Sequence, residues 1–340
     1  MKWTKTLKYS ALSLCMLFAS QVVQAKELRL SSFEPPMAFI TKDIVASWMD
    51  RTNAKLSADA QFKLYAGSVL GAPPLQQSLI QKGIAAAGFV VTTYTPGLFP
   101  LSSVVQVPFL APDSMVGTEI LQRLYDEGFL KDEYNDYKVI GLFTTRGYNF
   151  YVHNKPVKRP EDLKGMKVRT PSQFYKKMME MLGASGVSVP APGVFEALDR
   201  GVVDAVTWNY EVSKSFRLAD AADYSTKLFY SNIPLALLMN KKVYASLSTA
   251  DQKVIDDMSG RAFGEVARKT MDDYDRVQEA VLDKKEGHTV ITPTGEDREA
   301  WVSALSGAED LWLESVKELG VDGTATLKRA KEISAELVKK

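Results

Sequence analysis

The chain of 340 residues has very little cysteine and histidine, with one cysteine and two histidines in total. Its only cysteine, Cys15, lies in a segment predicted to be removed, so disulfides and thiolate catalysis are excluded for the rest of the chain. His153 and His288 are far apart and do not have the spacing of metal ligands. The sequence also lacks a G-x-S-x-G elbow, a Walker A motif and a G-x-G-x-x-G motif. These absences favour a non-catalytic protein with no metal and no cofactor.

The N-terminal segment has the pattern of an export signal. Three lysines fall within the first eight residues, a short apolar run follows at 12–18, and an A-x-A-like site ends at Ala25. A lipoprotein anchored through Cys15 is disfavoured because Leu14 precedes it, where such signals have a small residue. We therefore predict a signal peptide at 1–25, cleaved after Ala25, and a periplasmic location.

The charge of the mature chain argues against several kinds of partner. Loss of the three signal lysines changes the formal net charge from +1 to −2, and no large basic block remains. Such a surface disfavours nucleic acid and anionic membranes as partners. No later stretch is apolar and long enough to form a transmembrane helix, so the mature chain is not expected to be membrane-embedded. Its length suits about two domains.

Short apolar segments alternate with helical ones, which predicts an α/β fold with parallel-type, doubly wound sheets flanked by helices. Strands are predicted at 28–32, 62–65, 84–91, 139–143, 149–153, 187–189, 202–208 and 229–240, with another ending at Arg169. Helices are predicted at 39–51, 74–82, 118–127, 172–181 and 193–200. The alternation runs through two successive units, which predicts a two-lobe fold.

One long amphipathic stretch, 249–285, predicts a helix of about 30 residues, roughly 45 Å long, that spans both lobes. The charged tail, 324–340, is predicted to be a helix exposed to solvent. We assign 26–147 and about 236–282 to the first lobe, with the start of the spanning helix. The second lobe takes 148–235 and about 283–312, and a C-terminal helical segment takes 313–340. Two crossings between the lobes predict a hinge.

Five segments in this order carry a family resemblance that covers nearly the whole mature chain. They are LYAGSVLG at 64–71, GIAAAG at 83–88, VPFL at 107–110, KPVKRPEDLKGMKVR at 155–169 and FEALDRGVVD at 195–204. The chain resembles the DctP-type solute-binding proteins of tripartite ATP-independent periplasmic (TRAP) transporters. It departs from their pattern at Ala86, where aspartate is common. The segment after Asp204 also differs from the D-G-x-E-N form found in many members.

The resemblance implies two α/β lobes bridged by a long helix, which close on an organic acid in the cleft between them. The receptor would deliver this anion to small and large membrane subunits of an importer driven by an ion gradient. The family's anion-clamping arginine corresponds to Arg169, at a strand end, where its planar guanidinium suits a carboxylate. Two alternatives are a similar bilobal protein that serves an ATP-driven importer or a sensor kinase, and an exported enzyme on the same fold.

The resemblance also indicates further cleft residues. Arg146 is either a second carboxylate contact or a partner in an ion pair between the lobes. Trp208 and Tyr210 either enclose the ligand or belong to the core. Asn209 either donates to a ligand oxygen or shapes the turn.

Two first-lobe residues complete the predicted site. Tyr94 follows a buried strand, where its hydroxyl could bind the ligand or its ring pack under the loop. Glu34 follows the first strand and would repel an anion unless it accepts a hydroxyl or amine or pairs with an arginine. One firmly assigned arginine favours a monocarboxylate, 2-hydroxy, 2-keto or aromatic. A sulfonate or a dicarboxylate remains open, the latter if Arg146 also contacts the ligand.

Overall fold

The computed structural model describes residues 27–339, so the predicted signal peptide lies outside the described residues. The described chain forms two α/β lobes, each built on one sheet. The first sheet has the strand order β2-β1-β3-β10-β4, and the second has the order β11-β9-β5-β8-β6-β7. The strands are β1 Leu28–Ser31, β2 Phe62–Tyr65, β3 Ala87–Val91, β4 Tyr137–Thr144, β5 Asn149–Val152, β6 Lys167–Thr170, β7 Ser185–Ser188, β8 Ala205–Trp208, β9 Tyr224–Thr226, β10 Pro234–Asn240 and β11 Thr289–Ile291.

Each sheet is parallel except for one strand. Strand β10 runs antiparallel to β3 and β4, and strand β5 runs antiparallel to β8 and β9. These are the two strands by which the chain enters each sheet from the other lobe. A strand that arrives directly from the opposite lobe, without a helical crossover, can pair in the reverse direction. The predicted alternation is thus present, but neither sheet is purely parallel.

Helices cover the faces of both sheets. The first helical segment is π-helical at Ile40–Ala46 and continues as an α-helix. The α-helices are α1 Ser47–Asn53, α2 Gln76–Gln81, α3 Ser114–Asp126, α4 Gln173–Met181, α5 Val194–Asp199, α6 Val212–Ser215, α7 Lys241–Ala245, α8 Thr249–Asp257, α9 Arg261–Leu282, α10 Gly295–Ala304, α11 Ala308–Glu318 and α12 Thr324–Val338. Short 3-10 turns lie at Pro73–Leu75, Thr92–Tyr94, Leu101–Gln106, Lys131–Tyr134, Pro160–Leu163, Ala191–Gly193 and Leu218–Asp220. Within 27–339, no helix combines the length and hydropathy required to cross a membrane.

The predicted helix over 249–285 is broken, so its expected length is wrong. Helix α8 ends at Asp257, and α9 starts after Gly260, which has a φ of 59° that suits glycine. The amide of Gly260 donates to Ile140 O at 2.8 Å, which anchors the break on β4. Helix α9 alone, with 22 residues, is about 33 Å long. Its first half packs on the first lobe and its second half contacts the second lobe.

The C-terminal helix does not present only a solvated surface, contrary to the expectation for 324–340. Three apolar side chains of α12 are buried, those of Leu327, Ala330 and Ile333. They recur every three residues and form one apolar stripe, which packs on α3 of the first lobe. The charged residues of α12 lie around this stripe, and Arg329 pairs with Glu127 at 2.7 Å. The tail is therefore docked on the first lobe.

The contact between β4 and α9 gives a direct test of the packing. A Cβ atom placed on Gly141 would lie 1.9 Å from Cδ1 of Phe263, so the Gly141→Ala substitution must displace that ring. We expect Gly141→Ala to lower the free energy of unfolding by about 1–3 kcal/mol. The measurement is equilibrium unfolding in urea.

The matched control is Gly264→Ala, on α9 one residue after Phe263. A Cβ atom at Gly264 would make only ordinary contacts, the nearest at 3.5 Å. Alanine in a helix is favoured over glycine, so this variant should gain about 0.5–1 kcal/mol. Equal stability of the two variants would contradict the described packing of α9 on β4.

Candidate functional site

Strand β6 places Arg169 at the carboxyl edge of the second sheet. Strand β6 lies between β7 and β8, and Arg169 is in register with Val187 and Val206. Both neighbours run parallel to β6, so all three strands end at the same edge. Pro171 follows and cannot continue the hydrogen-bonded ladder. Because the strand ends there, the Arg169 side chain is held at the boundary with the first lobe.

Arg169 is completely buried, and all of its contacts are neutral. Its Nε donates to Val189 O at 2.9 Å, and its Nη1 donates to Thr207 O at 3.3 Å. Nη2 donates to the hydroxyl of Tyr94 at 3.3 Å, and the guanidinium stacks on the Trp208 ring at 4.3 Å from the centroid. No carboxylate within residues 27–339 lies within 4.0 Å of it. The fold thus buries a fixed positive charge without an anionic partner.

Between the lobes lies a cavity that we call the interlobe cavity. Its walls come from both sheets and are mostly apolar and aromatic. It is lined by Phe33, Glu34, Ile40, Phe89, Val91, Tyr94, Thr145, Tyr148, Ala191, Trp208, Glu211, Ile233 and Leu235. Arg169 adjoins this cavity through its contacts with Tyr94 and Trp208. The predicted residues Glu34, Tyr94 and Trp208 are therefore brought together with Arg169, although their ligand contacts stay predictions.

Two carboxyl groups of the interlobe cavity are buried. Glu34 is 3% exposed and Glu211 is 2% exposed. Burial raises the pKa of Glu211 to about 8. Burial, together with the nearby Glu211, raises the pKa of Glu34 well above its ordinary value. The site therefore combines a buried guanidinium with two acids that burial drives toward the protonated form.

Arg146 does not line the interlobe cavity. Its Nη1 bonds to Glu279 Oε2 at 2.5 Å and lies 3.6 Å from Asp275 Oδ2, both on α9. Its guanidinium also stacks on Phe229 at 4.0 Å, and Lys227 pairs with the same Glu279. Of the two readings of Arg146, the structure contains the ion pair. The reason is that α9 brings two carboxylates to the segment that connects the lobes.

Asn209 and Tyr210 also face away from the interlobe cavity. Asn209 Nδ2 donates to Asp275 Oδ1 at 2.8 Å, which ties the loop after β8 to α9. The Tyr210 ring is completely buried and packs edge-on against Tyr151 and Phe229. Trp208 is the last residue of its strand and points to the cavity, but the next two positions follow the turn toward α9. The structure thus places both residues in the packing between the second lobe and α9.

The two lobes contact each other beside the cavity. Thr93 Oγ1 donates to Pro171 O at 3.3 Å, and Ser172 Oγ donates to Gln106 Oε1 at 2.6 Å. On the other side, the Phe39 amide donates to Ser215 Oγ at 3.3 Å. These bonds hold the cavity between the lobes.

Several lining residues were not identified from the sequence. Phe89 lies in a strand whose sequence predicts complete burial. At such a position the sequence cannot distinguish a residue of the cavity wall from a residue of the core. Tyr148 follows a crossing segment, and Glu211 follows an aromatic residue in a loop. The position of Glu211, just beyond the end of a parallel strand, is the signal that could have identified it.

A larger cavity, of about 280 Å³, lies between the loop after β3 and helices α4 and α11. Its apolar lining includes Phe99, Phe174 and Trp312. Its charged residues, Lys177 and Glu318, pair with each other at 2.6 Å. This cavity offers no unpaired charge to an anion, so the interlobe cavity is the better candidate. Over residues 27–339, no cluster of histidine, cysteine, aspartate and glutamate could hold a metal ion.

Comparisons with known proteins agree with this architecture. The family "Bacterial extracellular solute-binding protein, family 7" (DctP) matches residues 30–315, which confirms the resemblance seen in the motifs. The chain is 27% identical to the Comamonas testosteroni "Outer membrane transporter protein TsaT", over 96% of this chain and 97% of that protein.

Two solved structures are similar over nearly their full length. One is a marine metagenome TRAP solute-binding protein specific for aromatic acid ligands, in complex with metahydroxyphenylacetate. It is 29% identical with a TM-score of 0.86, and the match covers 91% of this chain and 98% of that one. The other is a TRAP solute-binding protein from Rhodoferax ferrireducens T118 in complex with copurified benzoate. It is 25% identical with a TM-score of 0.85, and the match covers 92% and 98% of the two chains.

The buried acids predict how stability depends on pH. Burial raises the pKa of Asp275 to about 7 and that of Asp272 to about 6, alongside the value of about 8 for Glu211. In the unfolded chain these carboxyl groups have pKa values of about 4. The folded protein therefore binds more protons in this range, and its stability falls as pH rises from about 5 to 8.

We expect the Glu211→Gln substitution to flatten this decline above pH 6. Between pH 6 and 8.5, the melting temperature of the variant should fall by at least about 2 °C less than that of the wild type. Thermal melts across this range provide the measurement. The control is Glu265→Gln, which removes the same charge from an exposed position on α9 and should keep the wild-type slope. A wild-type melting temperature that rises from pH 5 to 8 would contradict the assignment.

Proposed function

The chain belongs to bacterial extracellular solute-binding protein family 7, the DctP-type TRAP receptors, and we propose that it captures an aromatic monocarboxylate in the interlobe cavity. The observation that carries this proposal is the buried charge of Arg169, which no acid of the described chain neutralises. A buried charge without a counterion is strongly unfavourable. An anion bound beside it removes this penalty. The fold supplies the cation, and the ligand supplies its partner.

The guanidinium has the donors that a carboxylate requires. Its three hydrogen bonds in the protein use one N–H each on Nε, Nη1 and Nη2. Because each terminal nitrogen carries two N–H groups, one remains on each. Two such donors suit the two oxygens of one carboxylate. The Trp208 ring under the guanidinium fixes its plane.

The aromatic lining supports a ligand with a ring. Phe33 stacks on Phe89 at 5.2 Å and lies 6.2 Å from Tyr94, and Tyr148 and Trp208 complete the wall. Metahydroxyphenylacetate and benzoate, bound by the two similar solved proteins, are both aromatic monocarboxylates. A dicarboxylate is less well supported, because Arg146 already pairs with Glu279. No second arginine lines the cavity among the described residues.

Binding requires some separation of the lobes. The interlobe cavity is about 20 Å³ in this structure, which is the scale of a single water site. An aromatic acid therefore enters when bonds across the cleft open, among them those from Thr93 to Pro171, from Ser172 to Gln106 and from Arg169 to Tyr94. After capture, we propose, the receptor delivers the anion to the small and large membrane subunits of an ion-gradient-driven importer from the periplasm.

The first experiment is a thermal-shift screen of the mature chain, residues 26–340, against organic acids and sulfonates. A ligand that binds only the folded state raises the melting temperature. We expect benzoate-like acids to produce the largest shifts. A screen in which only sugars or amines stabilise the protein would contradict the proposal.

The proposal also predicts that Arg169→Lys weakens binding of the best acid by at least about tenfold. Lysine cannot present two parallel donors or stack on Trp208 in the same way. Isothermal titration calorimetry provides the measurement. The matched control is Arg146→Lys, which keeps a cation beside Glu279 and should change affinity by less than about threefold. An unchanged affinity in Arg169→Lys would overturn the assignment of Arg169 as the carboxylate anchor.

A further inference from the structure

Glu34 and Glu211 bring two acids into one anion-binding cavity. Glu34 follows β1 of the first lobe and Glu211 follows β8 of the second, so the two side chains meet only because the lobes face each other. Both line the interlobe cavity and both are at least 97% buried. Carboxyl groups in a site for a carboxylate would be unfavourable unless they bind a different part of the ligand.

The partners of these two groups within the protein are few. Glu211 Oε1 has no hydrogen-bond partner among the described residues. Glu34 Oε2 accepts one long bond, 3.5 Å, from the hydroxyl of Thr41, which also bonds to Ser32 at 2.6 Å. No lysine or arginine of the described chain lies within 4.0 Å of either acid. Both carboxyl groups therefore retain the capacity to accept a hydrogen bond inside the cavity.

The backbone holds Glu211 firmly, while its side chain has one oxygen, Oε1, without a partner among the described residues and a single hydrogen-bonding neighbour, the Ser215 hydroxyl. Its amide donates to Asp275 Oδ1 at 2.7 Å, and Asp275 also accepts from Asn209. The carboxyl group thus starts from a fixed turn rather than from a mobile loop. A side chain carried on a fixed turn is better placed to discriminate between ligands than one on a mobile loop.

We propose that Glu34 and Glu211 form a second anchoring point of the interlobe cavity and select an aromatic acid that carries a hydrogen-bond donor, a hydroxyl or amino group. This inference rests on the proposed function, because it assumes that Arg169 binds the carboxylate. A donor on the ring satisfies the acceptor that the protein leaves unpaired. A ligand with a methyl group at the same position leaves that acceptor buried and unpaired, which is costly.

The protonation of the pair agrees with this role. Burial raises the pKa of both acids, with Glu211 adding to the rise at Glu34 and Asp275 adding to the rise at Glu211, so at neutral pH the pair is not doubly charged. It therefore does not cancel the attraction of Arg169 for the anion. A site that hydrogen-bonds a substrate hydroxyl rejects the analogue without it far more strongly than an apolar pocket rejects an extra methyl group.

The test compares matched benzoates with the mature protein by isothermal titration calorimetry at pH 7. Hydroxy-, amino- and methylbenzoate are measured with the substituent at the 2-, 3- and 4-positions. We expect the hydroxyl or amino compound to bind at least about tenfold more tightly than its methyl counterpart at one or more positions. Comparison of the hydroxyl and amino compounds shows which donor fits.

The variant Glu34→Leu/Glu211→Leu tests which residues are responsible. Leucine has a similar volume, and replacement of unpaired buried acids by apolar side chains is usually tolerated. We expect the variant to bind the methyl compound at least as well as the wild type and to lose the preference for the donor. A retained preference in the folded variant would overturn the role of the two acids.

The wild-type panel alone decides the inference if the variant fails to fold. If methyl and donor compounds bind equally at every position, the selection by Glu34 and Glu211 is refuted, while the receptor function stands. If no aromatic acid binds but other ligands do, the proposed function itself fails and this inference falls with it. The two failures are therefore distinguishable.

Discussion

The arrangement of the site depends on one buried carboxylate of α9, that of Asp275. One of its oxygens accepts from the side chain of Asn209 at 2.8 Å and from the amide of Glu211 at 2.7 Å. The other faces Arg146 at 3.6 Å. These contacts fix the turn after β8, which carries Trp208 on one side and Glu211 on the other. The wall of the interlobe cavity is therefore positioned by a helix residue that does not line it.

The guanidinium and the two acids around the cavity do not pair with one another. Arg169 is buried among carbonyls, a hydroxyl and an indole ring, while two acids in the same cavity remain out of its reach. A fold optimised only for stability would pair these charges or replace them with apolar residues. Their separation keeps a cationic end and an acceptor end available in one small volume. Under the proposed function, polarity of this kind orients an asymmetric ligand.

The sequence predicted those parts of the site that depend on local pattern. The Arg169 strand, its proline stop and its parallel neighbours are adjacent in sequence, and so the position of Arg169 at a sheet edge could be deduced. Tyr94 and Glu34 likewise follow strands directly. The partners of Arg146 and Asn209 could not be deduced, because Glu279 and Asp275 lie 133 and 66 residues away on a helix whose rotation the sequence does not reveal.

The same limit explains the broken helix. Hydrophobic periodicity continues across 249–285, so the pattern alone favours one helix. Gly260 interrupts it because its amide bonds to β4, a contact that only the tertiary structure supplies. A glycine inside a periodic stretch is ambiguous in sequence, since it is compatible with a helix at modest cost. Tertiary contacts decide the outcome.

The position of α9 also constrains how the lobes can move. Asp272 accepts from the amides of Ser114 and Met115 at the start of α3, both at 3.0 Å, and so belongs to the first lobe. Asp275, less than one helical turn later, binds the second lobe. Because both attachments lie within about 5 Å along the helix axis, rotation about this turn displaces them little. The fold therefore attaches both lobes to α9 through buried carboxyl groups, whereas the direct hydrogen bonds from Thr93 to Pro171 and from Ser172 to Gln106 lie beside the cavity.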